Sequence, residues 1–140
     1  IRVPFIVNQP GMVPIQTLDN LIYFPDMMPT LAALAKGTKH LPKQINGINI
    51  LPLFYGKQVD TDNRLLYWEF PGKQRAARKG DWKCVTIHPN QPLELYNLKE
   101  DPEETNNLAQ KYPRRVKEFD EEMQRMHIPT PNWPQPGEQF

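Results

Sequence analysis

At 140 residues, 39% hydrophobic and 24% charged, the chain is one domain or a piece of one, able to bury roughly 68% of its unfolded surface. A net charge of +1 gives no general pull toward nucleic acid or an anionic membrane, and no run of 18 apolar residues offers a membrane span. Cys84 is the one cysteine, so no internal disulfide can form, and sixteen prolines predict short elements joined by many loops.

The chain opens on Ile1-Arg2-Val3-Pro4 without an initiator Met or a signal-peptide pattern, which predicts a piece of a longer chain. Val3 to Val7 reads as a short strand interrupted only by Pro4. Asn8 to Asn20 reads as loop, punctuated by Pro10-Gly11 and Pro14. A helix is predicted from Asp26 to Lys36. Asp26 can cap it, Pro29 falls in its first turn, and Gly37 can end it. Met27, Leu31 and Leu34 would share one face. Lys39 to Asn63 reads as irregular, with a turn at Asn46-Gly47 and a short helical turn within Ile48 to Tyr55.

Four strands follow, at Arg64–Phe70, Gln74–Lys79, Trp82–His88 and Leu93–Leu98, with links short enough for an antiparallel meander. Pro71-Gly72 suits a type II turn, and Gly80-Asp81 a two-residue hairpin loop with glycine first. Asp101-Pro102-Glu103-Glu104 carries a capping residue, a proline and an acid at helix-start spacing, which predicts a short helix to Ala109. Tyr112, Val116, Phe119, Met123 and Met126 recur at helical spacing, which predicts a helix from Tyr112 to His127 laid over one face of the sheet. The four prolines from Pro129 onward predict an extended tail.

Few residues form a recognisable chemical set. The sequence has no serine, and Cys84 sits between Lys83 and Val85 in mid-strand, where a buried structural thiol is the simpler reading. His40, His88 and His127 have no ligand spacing and read as surface or loop histidines. Asp60-Thr61-Asp62 opens like a calcium loop, but Leu65 and Pro71 stand where glycine and glutamate would be needed. The stretch from Tyr67 to Cys84 gathers two tryptophans, Glu69 and several cations. Glu69 with Arg75 or Arg78 reads either as a grip on an anionic substrate or as cross-strand ion pairing. Trp68 and Trp82 read either as sugar platforms or as core.

Several motifs in order resemble type I sulfatases, the arylsulfatase family. Ile1-Arg2-Val3-Pro4-Phe5 is similar to the segment that returns the family's chain to its main sheet, and Gln9-Pro10-Gly11 resembles its W-P-G turn. Asp26-Met27-Met28-Pro29-Thr30-Leu31 with Leu34-Ala35 resembles D-x-x-P-T-L-x-x-L-A-G, with Lys36 where the glycine stands and Gly37 one place late. Asn46-Gly47-Ile48-Asn49-Ile50-Leu51-Pro52-Leu53 resembles D-G-x-S-L-x-P-L. Tyr67-Trp68-Glu69 with Arg75 to Lys83 resembles W-E…R-A-V-R-x-G-D-W-K. Glu94 to Pro102 with Glu104, Asn107, Leu108 and Ala109 resembles E-L-Y-D-L-x-x-D-P-x-E-x-x-N-L-A.

The resemblance implies an α+β fold: a four-stranded antiparallel sheet covered by a C-terminal helix. Before it would come the last strand and helix of an α/β alkaline-phosphatase-like sulfatase domain, the two parts meeting near residue 60. It implies hydrolysis of sulfate esters by a parent enzyme that uses calcium and a formylglycine made within a C/S-x-P-x-R motif. That motif is not in this chain. The catalytic residues are expected before Ile1, so none is assigned here, and Arg2 is read as structural. The substrate-side candidates are Glu69, Lys73, Gln74 and Arg75, at the turn between the first two of the four predicted strands. A stand-alone module binding sulfated glycans through Arg75, Arg78, Trp68 and Trp82 is the alternative. A periplasmic or secreted location is implied, and the Val3–Val7 edge predicts self-association.

Overall fold

A computed structural model of the chain describes residues 3–70, 74–88, 91–132 and 137–139. The backbone divides into two units, Ile1–Thr61 and Asp62–Phe140.

In the first unit a 3-10 turn at Phe24–Asp26 runs into helix α1, Met27–Leu34. A second 3-10 turn spans Thr38–His40, and α2 is a single turn, Leu51–Phe54. Polar side chains hold these pieces together. Asp26 is fully buried, and its carboxylate accepts the Tyr23 and Ile48 N–H groups, each at 2.9 Å. Thr30, one turn further on, accepts the Ile50 N–H at 3.0 Å, and Thr61 accepts the Leu21 N–H at 3.1 Å. These backbone donors lie outside any regular ladder, and a buried donor left unpaired costs about 1–3 kcal/mol. Gly47 completes the fit: a Cβ there would sit 1.9 Å from the Pro25 carbonyl oxygen. Ile50 and Leu53 supply the apolar centre.

This arrangement changes three expectations. Asp26 makes no side-chain cap to α1; its carboxylate is committed to Tyr23 and Ile48. Turning Asp26 and Thr30 inward rotates the Met27–Leu31–Leu34 stripe away, so Leu31 and Leu34 are 58% and 52% exposed. Val3 to Val7 forms no strand, because no described segment pairs with it. The end of α1 is also particular. Lys36 has φ 55, its N–H reaches the Ala33 carbonyl, and the Gly37 N–H reaches the Ala32 carbonyl at 2.8 Å. This is the paired helix closure whose left-handed position favours glycine, occupied here by lysine.

The second unit is the meander. Strands β1 (Leu66–Phe70), β2 (Gln74–Lys79), β3 (Trp82–Thr86) and β4 (Glu94–Asn97) lie in sequence order, all antiparallel. Gly80, at φ 55, makes the two-residue loop between the paired residues Lys79 and Trp82. Tyr67, Ala77, Cys84 and Leu95 line up across the four strands. Helix α3, Pro113–Met126, covers that row. Its Phe119 and Met123 are buried with Ala77, Cys84 and Leu95, while Leu65, Tyr67, Trp82 and Val116 pack around them. Small side chains at Ala77 and Cys84 leave room for the larger helix residues. Burying Phe119 and Met123 contributes roughly 1.5–3 kcal/mol each.

Residues 101–109 are a loop, not the predicted helix. The Asp101 carboxylate accepts the Thr105 and Asn106 N–H groups, and these bonds, Asn106 first, hold its pKa below the usual range. Glu104 is left-handed at φ 59 and puts both carboxylate oxygens 2.6 Å from Lys83 Nζ. Asn107 Oδ1 then accepts the Leu95 N–H at 3.1 Å, and the Leu108 N–H donates to the Leu95 carbonyl at 2.8 Å. The segment covers the free edge of β4, which a helix would have left unpaired.

Candidate functional site

Strand alternation sorts the polar residues of the sheet onto two faces. Glu69 pairs with Arg75, and Lys79 with Trp82, on the face that α3 covers. Leu66 with Arg78, and Trp68 with Ala76, occupy the opposite face. Arg75 and Trp82 therefore cannot join Arg78 and Trp68 in one binding surface, which removes the geometry the glycan-module alternative needs. Trp82 is engaged within the unit: its ring meets Tyr112 edge-on at 5.3 Å, and the Arg115 guanidinium lies 4.4 Å from the ring centre.

At the end of the sheet where β1 hands over to β2, the α3-covered face carries a connected polar cluster. Glu69 Oε1 accepts the Tyr67 hydroxyl and lies 2.6 Å from His127 Nδ1, just past the end of α3. The other ring nitrogen of His127 bonds Glu138. Burial, reinforced by Glu69, pushes the Tyr67 phenol well above its ordinary value. The Glu138 bond, and after it the Glu69 bond, hold the His127 pKa above the usual histidine range against the opposing effect of burial. Next to them Arg75 donates to Asp120 of α3 at 3.3 Å, while its buried Nε has no partner among the described residues.

The four substrate-side candidates thus divide. Glu69 is engaged by Tyr67 and His127. Arg75 is half-buried and held toward α3. Gln74 opens β2 opposite Phe70, whose side chain is 64% exposed at the rim. Lys73 and the Pro71-Gly72 turn lie outside the described residues. Sequence reading missed His127 and Glu138. His127 stands four residues after Met123, on the inward side of α3, and that spacing was the available signal. His40 and His88 are exposed.

Among the described residues no group of three or more His, Cys, Asp or Glu is placed to hold a metal ion. Cys84 is fully buried; burial first, then Asp120, pushes its thiol up to about 12, far from a reactive thiolate. Among the described residues no helix is long and apolar enough to cross a membrane.

The family model for the C-terminal part of N-sulphoglucosamine sulphohydrolase matches residues 1–128. An uncharacterized protein of Haemophilus influenzae is 33% identical over 126 residues, covering 82% of this chain and 63% of its own length. The ulvan-active sulfatase of Formosa agariphila is 27% identical over 146 residues, covering 78% of this chain and 29% of that protein. The solved structure of a 2-O GAG sulfatase aligns with TM-score 0.58 and 27% identity over 71% of this chain and 24% of that one. The chain therefore spans 63% of the Haemophilus relative and less than a third of the two sulfatases.

Proposed function

The chain belongs to the N-sulphoglucosamine sulphohydrolase C-terminal family of sulfatases, and on that premise we propose that it is the C-terminal portion of an enzyme hydrolysing sulfate esters of saccharides. The match over residues 1–128, which runs through both units, carries the reading. The relatives named for sulphoglucosamine, ulvan and GAG support a sulfated saccharide as the substrate class.

In this reading residues 1–60 complete the α/β catalytic domain and residues 61–140 are the C-terminal subdomain. The catalytic set lies in a preceding part of the parent, together with the calcium ion and the formylglycine that sulfatase membership implies. The described residues fit neither group: no three acids or histidines gather to hold an ion, Cys84 is sealed in the sheet, and the sequence has no serine from which the aldehyde could be made. The contribution of this chain is the pocket wall. The connection from β1 to β2, with Lys73 and Gln74, faces the substrate, and Glu69 and Arg75 stand behind it, held by Tyr67 and His127 and by Asp120. The parent works in the periplasm or outside the cell. Isolated, the chain self-associates through the exposed Val3 and Ile6 side chains; a purely monomeric sedimentation profile would speak against that.

The test uses the complete protein and measures inorganic sulfate released from O- and N-sulfated disaccharides and from a generic aryl sulfate. Saccharide sulfate should be released fastest. Gln74→Ala should raise KM by about two- to tenfold, the worth of one neutral hydrogen bond, with kcat nearly unchanged. No sulfate release from any of these compounds would overturn the reading.

A further inference from the structure

We propose that His127 is a pH-sensitive pin that fastens the chain at Glu138 to strand β1, closed while the imidazole is protonated and open when it is neutral. This does not depend on the proposed hydrolase activity. The imidazole is held between two carboxylates, one at each ring nitrogen: Glu69 at 2.6 Å on Nδ1 and Glu138 on Nε2. All three side chains are about four-fifths buried, at 19%, 18% and 20% exposure for His127, Glu69 and Glu138. Ionised carboxylates only accept hydrogen bonds, and a neutral imidazole has a single N–H. Both contacts can therefore exist together only around an imidazolium. Loss of the proton turns a ring lone pair toward one carboxylate, and that contact must break.

Glu138 is the side that yields. Glu69 is fixed in the β1–β2 ladder and also holds the Tyr67 hydroxyl, whereas Glu138 lies outside every helix and strand. The charged and titratable groups around the ring set the balance. Tyr67 and Glu69 come from β1, Glu138 from the tail, and Arg75 from β2 opposite Glu69, tied to Asp120 of α3. The two carboxylates on the ring raise its pKa. A group whose folded pKa is raised stabilises fully below its unfolded value, about 6.5 for histidine, and the effect fades as pH rises through the folded value. The pin is thus closed in mildly acidic solution and opens on the alkaline side of the ordinary histidine range.

The experiment follows histidine ring carbons of the complete, labelled protein by NMR from about pH 5 to about pH 9, with His127 assigned by through-bond correlation to its own backbone and the sequential connection to Met126. Cleavage after Glu138 by a glutamate-specific protease is timed in parallel, against an unstructured control peptide. The His127 midpoint should lie above 6.5, its ordinary value, and fall in Glu138→Gln. Cleavage of the unmodified protein should speed up by about fivefold or more across the midpoint, and should be fast at every pH in His127→Gln. A midpoint at or below the ordinary value, unmoved by Glu138→Gln, would overturn the pin, as would cleavage that tracks the control peptide throughout. Glu138→Gln leaves strand and helix residues untouched, so its titration decides the matter even if His127→Gln does not fold.

Discussion

In residues 1–61 three of the fully buried side chains, Asp26, Thr30 and Thr61, are polar, alongside the apolar Ile50; in residues 62–140 the fully buried ones include Leu66, Ala77, Cys84, Leu95 and Met123. Among the described residues both units expose large apolar side chains, Phe70, Ile87 and Ile128 in the second, but the first exposes more. Val3, Ile6, Ile15, Phe24, Leu31 and Leu34 stand out from the first unit, while Phe119 and Met123 of the second are shut between α3 and the sheet. The second unit is held by apolar area closed upon itself. The first is held by hydrogen bonds from side chains to backbone around a small apolar centre at Ile50 and Leu53, with many of its other apolar residues turned outward. A core of the first kind is sensitive to lost volume, and one of the second kind to a lost acceptor or an added methyl group.

The sharpest way to break that contrast is Phe119→Ala, which should cost the second unit about 3–5 kcal/mol. All three tryptophans, Trp68, Trp82 and Trp133, belong to residues 62–140, so their fluorescence on denaturation reports this unit alone. A loss below 1 kcal/mol would show that α3 does not close the core. Gly47→Ala comes next. The new methyl group meets the Pro25 carbonyl, and the overpacking should cost about 1–3 kcal/mol. Hydrogen exchange should quicken over residues 21–54, while the tryptophan transition stays where it was. Lys36→Gly should act in the opposite direction, adding about 0.5–1 kcal/mol to the first unit by relieving the left-handed lysine; slower exchange at Ala35 to Gly37 would register it. The smallest effect is that of pH. As pH rises through the raised pKa of His127, the stabilisation from its carboxylate contacts should decline, a drop in the thermal midpoint that His127→Gln removes.

The second unit was the more legible of the two in sequence, for a physical reason. Its order rests on periodic patterns: the alternation around Tyr67, Ala77, Cys84 and Leu95, the stripe Val116–Phe119–Met123, and the glycine of the Gly80-Asp81 loop. Such patterns state which face is buried. In the first unit the stripe Met27–Leu31–Leu34 does not mark the buried face, because Asp26 and Thr30 turn inward to reach the Ile48 and Ile50 amides. Those partners lie about twenty residues away, and local spacing carries no trace of them. The same limit explains Asp101 to Ala109, where helix-start chemistry yielded to pairing with Leu95. At the candidate site, Glu69 and Arg75 stood out by residue type alone. Glu69 is bonded by Tyr67 of its own strand and by His127, and His127 in turn by Glu138; the last two lie far along the chain.

The proposed role, a wall for a sulfatase pocket whose reacting groups reside elsewhere in the parent, has a direct test. Sulfate release from a generic aryl sulfate, assayed side by side for the purified 140-residue chain and for the complete protein, tests that most directly. The account predicts turnover by the complete protein and none by the chain alone. Turnover by the chain alone would contradict it.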